Sequence, residues 1–152
     1  MRVAVIFGGT KMSIAVVGML DEREEALSLI RDRIEERGHK ALLIDISIGT
    51  GAIVPSLKAD IGYGELSALG GGPSSGVAEM LPDGREEAIS IMAGGLAEKI
   101  MSLHKGGGLE GMIAIAGMTG AMISASVTRV YRRTSSSSIG IGTPAPTVRL
   151  HP

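Results

Sequence analysis

The chain has 152 residues, 44% of them hydrophobic, with a formal net charge of −1 and no cysteine. That length favours one domain with a single core; the apolar fraction is too high for disorder, and disulfide and thiolate chemistry are excluded. No apolar run reaches the ~18 residues of a membrane-spanning helix, and with no basic tract and only Phe7, Tyr63 and Tyr131 aromatic, a stacking groove for single-stranded nucleic acid lacks both of its ingredients.

The opening residues Met1 to Phe7 carry one charge and a short apolar run, without the full-length apolar segment or cleavage site of a signal peptide. A cytoplasmic location is the expectation, with neither membrane nor nucleic acid as a partner. The nine methionines read as adaptable core filler in place of aromatics.

Residues 2–7 alternate and end at Gly8-Gly9-Thr10-Lys11. A phosphate loop needs a helix N-terminus beneath its glycines. Here another apolar strand follows, so the reading is a hairpin that joins an edge strand to residues 13–17. The stretch from Ser13 to Ile48 is one βαβ unit: a buried strand at Ile14 to Val17, a turn at Gly18, a helix from about Glu22 to Arg37, and a second buried strand at Ala41 to Ile44 ending at Asp45. Asp21 with Glu24 has the spacing of a capping box. Ala26, Leu27, Ile30 and Ile34 form an apolar stripe, and Gly38 is placed to end the helix. The many charges opposite the stripe read as a solvated face.

Residues 49–84 are rich in glycine and proline and read as a long loop, with short helical turns near 64–69 and 75–80. It leaves the C-terminal end of the second strand, on the side where ligands bind in open parallel sheets. A second long helix runs from about Gly84 or Arg85 to His104, and Gly94-Gly95 within it calls for close packing to offset the glycine penalty of about 1 kcal/mol each. Gly106-Gly107-Gly108 ends it. Residues 112–116 form a third buried strand. Gly117-Met118-Thr119-Gly120 is the turn into a helix from about Ala121 to Arg132, a place where backbone N–H groups can meet an anion. Beyond Arg132 come four serines, a short strand at 138–142 and a tail at 143–152. The fold class is therefore α/β, a Rossmann-like three-layer sandwich with a mostly parallel sheet, as one domain over residues 1–142.

The histidines His39, His104 and His151 lack the spacing of a zinc site. No nucleophile elbow is present, and Ser13, Ser47, Ser124 and Ser126 have no evident base, so no catalytic set is assembled. The residues that fall at the C-terminal ends of the strands are Gly18, Asp21, Asp45, Ser47, Gly117, Thr119 and Gly120. Asp45 suits either of two roles: an acceptor for ribose hydroxyls or a turn cap.

The order Ile14-Ala15-Val16-Val17-Gly18-Met19-Leu20-Asp21, Glu25, Arg31-Asp32-Arg33-Ile34, Gly38 and Leu42-Leu43-Ile44-Asp45 resembles the start of the tomato mosaic virus resistance protein-like family. The likeness continues through Ala59-Asp60-Ile61, Arg85-Glu86-Glu87-Ala88, Met92-Ala93-Gly94-Gly95 and Gly111-Met112-Ile113-Ala114, and covers roughly residues 13–131. It implies an ATP-binding, Rossmann-like domain, with Mg accompanying the nucleotide and Gly18, Asp21, Asp45, Gly117, Thr119 and Gly120 about the ligand. The family turn Gly-Thr-Leu-Asp-Thr-Lys stands here as Gly18-Met19-Leu20-Asp21-Glu22-Arg23. The second loop, Gly-Gly-Ser-Gly-Gly-Thr, stands as Ala116 to Ala121. Lost hydroxyls at Met19, Glu22 and Met118 imply weak binding, mostly through backbone groups. The expectation is nucleotide binding without catalysis in this chain. The alternatives are a protein-interaction or assembly module, and a small-molecule enzyme whose site a homo-oligomer completes. A homo-oligomer, or further family domains on another chain, are the expected protein partners.

Overall fold

The computed structural model describes the backbone of residues 2–7, 13–134 and 139–142 and the side chains of residues 13–130. Its strands are β1 (Arg2–Phe7), β2 (Ser13–Gly18), β3 (Lys40–Asp45), β4 (Gly111–Ala116) and β5 (Ile139–Gly142). Its helices are α1 (Leu20–Glu36), α2 (Tyr63–Leu69), α3 (Leu81–Lys105) and α4 (Met118–Thr134), with a short 3₁₀ turn at Ala78–Met80. The anticipated tail at 143–152 lies outside the described residues.

The sheet order is β3-β2-β4-β1-β5. β2 pairs in parallel with β3 on one side and β4 on the other. Uninterrupted apolar runs such as Ala15-Val16-Val17 form this central part because both of its faces are covered. Even residues of β2 and odd residues of β3 and β4 face one way: Val16, Leu43 and Ile115 pack with Leu20, Leu27 and Ile34 of α1. Ala15, Val17, Ile44, Met112 and Ala114 face the other way, against Leu66 of α2, Met92, Leu96 and Ile100 of α3, and Ile123 and Val127 of α4. The result is an α/β Rossmann-like layout. Fully burying one such aliphatic side chain contributes about 1.5–3 kcal/mol, so the two layers supply most of the driving force.

The connections follow from handedness. β2 to β3 and β3 to β4 step in opposite directions across the sheet. Crossovers of one hand must then run over opposite faces, which puts α1 on one face and α3 on the other.

Residues 2–7 form no hairpin with β2. Both edges of β2 are already taken, so β1 pairs antiparallel with the free edge of β4, Val3 opposite Ile115, and with β5 beyond it. It is an interior strand, not an edge. Because β5 is antiparallel to β1, four of the five described strands point the same way.

α1 begins two residues earlier than its sequence signals suggest, with Met19 at the N-cap and no side-chain cap. Asp21 and Glu24 do not form a capping box; both carboxylates engage the loop after β3 instead. Gly38, at φ +82°, closes the helix: its N–H donates to Glu35 O and that of His39 to Ile34 O, a turn only an αL residue completes at low cost. α3 starts at Leu81, ahead of the expected Gly84 or Arg85, and Gly84 is a non-helical step inside it. Gly95 is where α2 meets α3. A β-carbon there would collide with Leu66 O, whereas one on Gly94 would meet nothing within 4 Å. The unprotected outer edge of β3 is covered by residues 60–61: Asp60 Oδ2 accepts the Leu43 N–H at 2.8 Å, and Ile61 O accepts that of Asp45 at 2.9 Å.

Candidate functional site

β2 leads to β3 on one side, and the next parallel strand, β4, lies on the other. The C-terminal ends of β2 and β4 therefore flank a topological switch point, the crevice where open α/β sheets bind ligands. Gly18 pairs with Asp45 on one side and Ile115 on the other. The first turns of α1 and α4 thus leave the same end of the sheet from neighbouring strands.

The two turns differ in what remains available. At the head of α1 the free N–H groups are consumed internally. Asp45, only 4% exposed, accepts with Oδ1 from Leu20 N–H at 3.1 Å, Ser47 N–H at 3.0 Å and Ser47 Oγ–H at 2.5 Å. The Ser47 hydroxyl in turn accepts from Asp21 N–H at 3.3 Å. Asp45 is thus a remote cap for α1, borrowed from the next strand. The loop then closes over the turn: Asp21 accepts from Gly51 N–H with its carboxylate at 3.1 Å and from Ile53 N–H with its carbonyl at 2.9 Å. Thr50 donates to Glu22 at 3.2 Å, and Ser56 donates to Glu24 through both its N–H and its hydroxyl.

The head of α4 is open. The helix starts at Met118 and not near residue 121, so Gly117 to Gly120 is its first turn. Ala121 N–H donates to Gly117 O at 2.9 Å; among the described residues nothing accepts from the N–H groups of Met118, Thr119 or Gly120. The first turn carries no acid. Such a terminus favours an anion, through its N–H groups and the helix dipole together.

The glycines divide by the same test. A β-carbon on Gly18 would sit 2.7 Å from Leu27 Cδ2 and 2.8 Å from Ile115 O, and one on Gly120 would sit 2.8 Å from Ala116 Cβ. Both positions are needed for packing. At Gly117, among the described residues, it would meet only Arg23 Nη2, at 3.5 Å.

Two arginines outside the sequence-derived candidates converge here. Arg23 lies in the first turn of α1 but departs from helical geometry (φ −130°, ψ 27°), and its Nη2 reaches the β4–α4 turn. Arg85 of α3 donates from Nη2 to Thr119 Oγ1 at 3.1 Å. Neither belongs to a recognisable motif. The signal for Arg23 was its place in the first turn after a buried strand; that for Arg85 was its start-of-helix position, visible only once α3 and α4 are packed. Of the sequence candidates, Gly117, Thr119 and Gly120 lie together at the open turn, while Gly18, Asp21, Asp45 and Ser47 form the closed one beside it. Among the described residues no cluster of three or more His, Asp or Glu could hold a metal ion, and no helix is long and apolar enough to cross a membrane.

Residues 12–133 match the model of the uncharacterised protein family UPF0261, N-terminal domain. The chain belongs to this family. A UPF0261 protein of Clostridium tetani is 29% identical over 112 residues, which is 73% of this chain and 26% of that protein. The chain thus spans about a quarter of the length of that curated relative. No solved structure matches it. The matched UPF0261 segment runs from β2 to the end of α4 and contains the whole crevice, whereas β1 and β5 fall outside it.

Proposed function

We propose that this chain binds a nucleotide, ATP with Mg being the ligand implied by its resemblance to the tomato mosaic virus resistance protein-like family, and that it carries no catalytic set of its own. The observation that supports this reading is the asymmetry of the switch-point crevice. Of its two helix N-termini, one is sealed by Asp45 and Ser47, and the other presents the unpartnered N–H groups of Met118, Thr119 and Gly120 beside Gly117. Phosphate oxygens suit this donor set. The family's hydroxyls are replaced here by Met19, which is buried in the core, and by the exposed Met118, so backbone groups and arginines carry the contact. Arg23 stands where the family turn has lysine, which keeps a cation at that place.

Calorimetric titration of ATP with and without Mg, on the wild type and Gly117→Val, tests it. A β-carbon at this position meets only Arg23 Nη2, at 3.5 Å, among the described residues, so the added bulk faces the crevice and blocks close approach of a phosphate; circular dichroism of the variant checks that it is folded. Binding lost in the variant supports the site. Equal affinity in both places the ligand elsewhere.

One observation favours a second reading, an assembly module. Met118 is 84% exposed and Met122, one turn on, is 54% exposed, an apolar step on α4 beside the crevice. Sedimentation of Met118→Ser/Met122→Ser against the wild type distinguishes the two: a shift to smaller species without loss of nucleotide affinity favours assembly.

A further inference from the structure

We propose that the outer edge of β4 is a strand-acceptor site filled by β1 of a second copy of this chain, so that two copies associate by exchanging residues 2–7. The proposal is independent of the nucleotide reading.

The rest of the fold builds the slot. β1 is antiparallel to both β4 and β5, so β5 runs parallel to β4, as a strand delivered by a helical crossover does. α4 is that crossover, yet β5 lies one position beyond the edge of β4, and β1 occupies the place between them. The matched UPF0261 segment, residues 12–133, holds β4 but neither strand beyond it; within that segment the sheet ends at β4. Such an edge, with its row of backbone N–H and C=O groups, is a template for an extended segment. The opposite edge of the sheet, at β3, is closed by Asp60 and Ile61.

Sequence distance decides what can fill the slot. β4 and β5 are joined through α4, whereas Val3 and Ile115, opposite each other in the ladder, are more than 100 residues apart. Pairing over that distance carries the larger loop-closure cost and forms late. Until it forms, the β4 edge is exposed, and β1 of another chain offers it the same six residues in the same antiparallel register. The sequence from Val3 to Phe7 is apolar throughout, so leaving it in water is unfavourable and the strand belongs in a slot, its own or a neighbour's. Exchange reproduces every ladder contact, which makes swapping an identical element a low-cost route to a dimer. The connection permits both routes. β1 and β2 flank β4, about 10 Å apart at two strand spacings, while the stretch from Phe7 to Ser13 can span about 20 Å when extended. Gly8-Gly9 within it imposes no side-chain restriction on either path.

The chain has no cysteine, so introduced cysteines report strand pairing without background. The test uses four single variants of the full chain, Val3→Cys, Val5→Cys, Ile113→Cys and Ile115→Cys, each checked for folding by circular dichroism. Val3 lies opposite Ile115 and Val5 opposite Ile113, and facing residues of an antiparallel pair have the Cα separation that a disulfide spans. Variants are unfolded in urea, mixed in pairs, refolded at concentrations from micromolar towards millimolar, oxidised and run on non-reducing gels. The expected result is a covalent heterodimer from the in-register mixtures, 3 with 115 and 5 with 113, at several-fold the yield of the off-register mixtures, 3 with 113 and 5 with 115. Its share should rise with protein concentration, and the wild type refolded in the same way should sediment as a dimer. The second in-register pair keeps the test valid if Ile115→Cys does not fold. Equal yields from in-register and off-register mixtures overturn the exchange, as does a monomeric wild type at every concentration. The double variant Val3→Cys/Ile115→Cys gives the direct contrast: linkage between chains supports the exchange, and linkage within one chain at every concentration overturns it.

Discussion

Removing the carboxylate of Asp45 releases the backbone N–H groups of Leu20 and Ser47 together. In Asp45→Ala three hydrogen bonds to Oδ1 vanish together. The N–H of Leu20 loses its cap, which costs about 1 kcal/mol by comparison with other N-cap deletions. The buried N–H of Ser47 is left unsatisfied, a further penalty of about 1–3 kcal/mol. The Ser47 hydroxyl, which itself holds Asp21 N–H, loses its anchor. Together these place the loss at about 2–4 kcal/mol. Asp45→Asn keeps an acceptor at Oδ1 and loses only the charge, so about 1 kcal/mol is expected, in line with the added strength of charge-assisted bonds. Urea denaturation followed by circular dichroism reads both, with the slope unchanged and the midpoint shifted. An alanine variant within about 0.5 kcal/mol of the wild type, the range of an ordinary surface change, would falsify the view that Asp45 ties α1 to β3.

The glycines give sharper contrasts. Gly18→Ala forces a β-carbon against Leu27 and the Ile115 carbonyl and should destabilise by about 1–3 kcal/mol; an unshifted urea midpoint contradicts the packing described. Gly95→Ala should also destabilise, by separating α2 from α3 at Leu66, whereas Gly94→Ala, one residue away in open space, should stabilise by about 0.5–1 kcal/mol through helix propensity alone. The same sign for both substitutions in thermal or urea melts refutes the account of that contact. Glu22→Gln retains an acceptor for Thr50 but removes a charge at the rim of the crevice. ATP affinity should rise a few-fold at low salt and the gain should fade in 0.5 M salt, about the concentration where screening is nearly complete; a salt-independent change refutes an electrostatic origin.

The central strands and the long helices were legible because their signals are local. Runs such as Ala41-Leu42-Leu43-Ile44 need burial on both faces, and Leu27 with Ile34 marks the inner side of α1. The short helices at 63–69 and 78–80 were legible as turns within a glycine-rich stretch. What escaped was whatever depends on a distant partner. The place of β1 was hidden because it follows from which strand edge stays open, here that of β4. The cap of α1 was hidden because the acceptor sits on β3, 25 residues away, while Asp21 offered a plausible local substitute. The candidate site was read in part. Gly117, Thr119 and Gly120 announce a helix entry after a buried strand, but the open and the sealed N-terminus look alike until the loop at 49–56 is placed. Arg23 and Arg85 come together only through the packing of α1, α3 and α4 on one sheet.

Backbone amide chemical shifts, followed while ATP is added to isotopically labelled protein, show which of the two helix N-termini meets the ligand. The N–H signals of Met118, Thr119 and Gly120 are expected to move most, and those of Leu20 and Asp21, already bonded to Asp45 and Ser47, to move little. The largest shifts at Leu20 and Asp21, or at residues away from the β2–β4 crevice, would contradict binding at the head of α4.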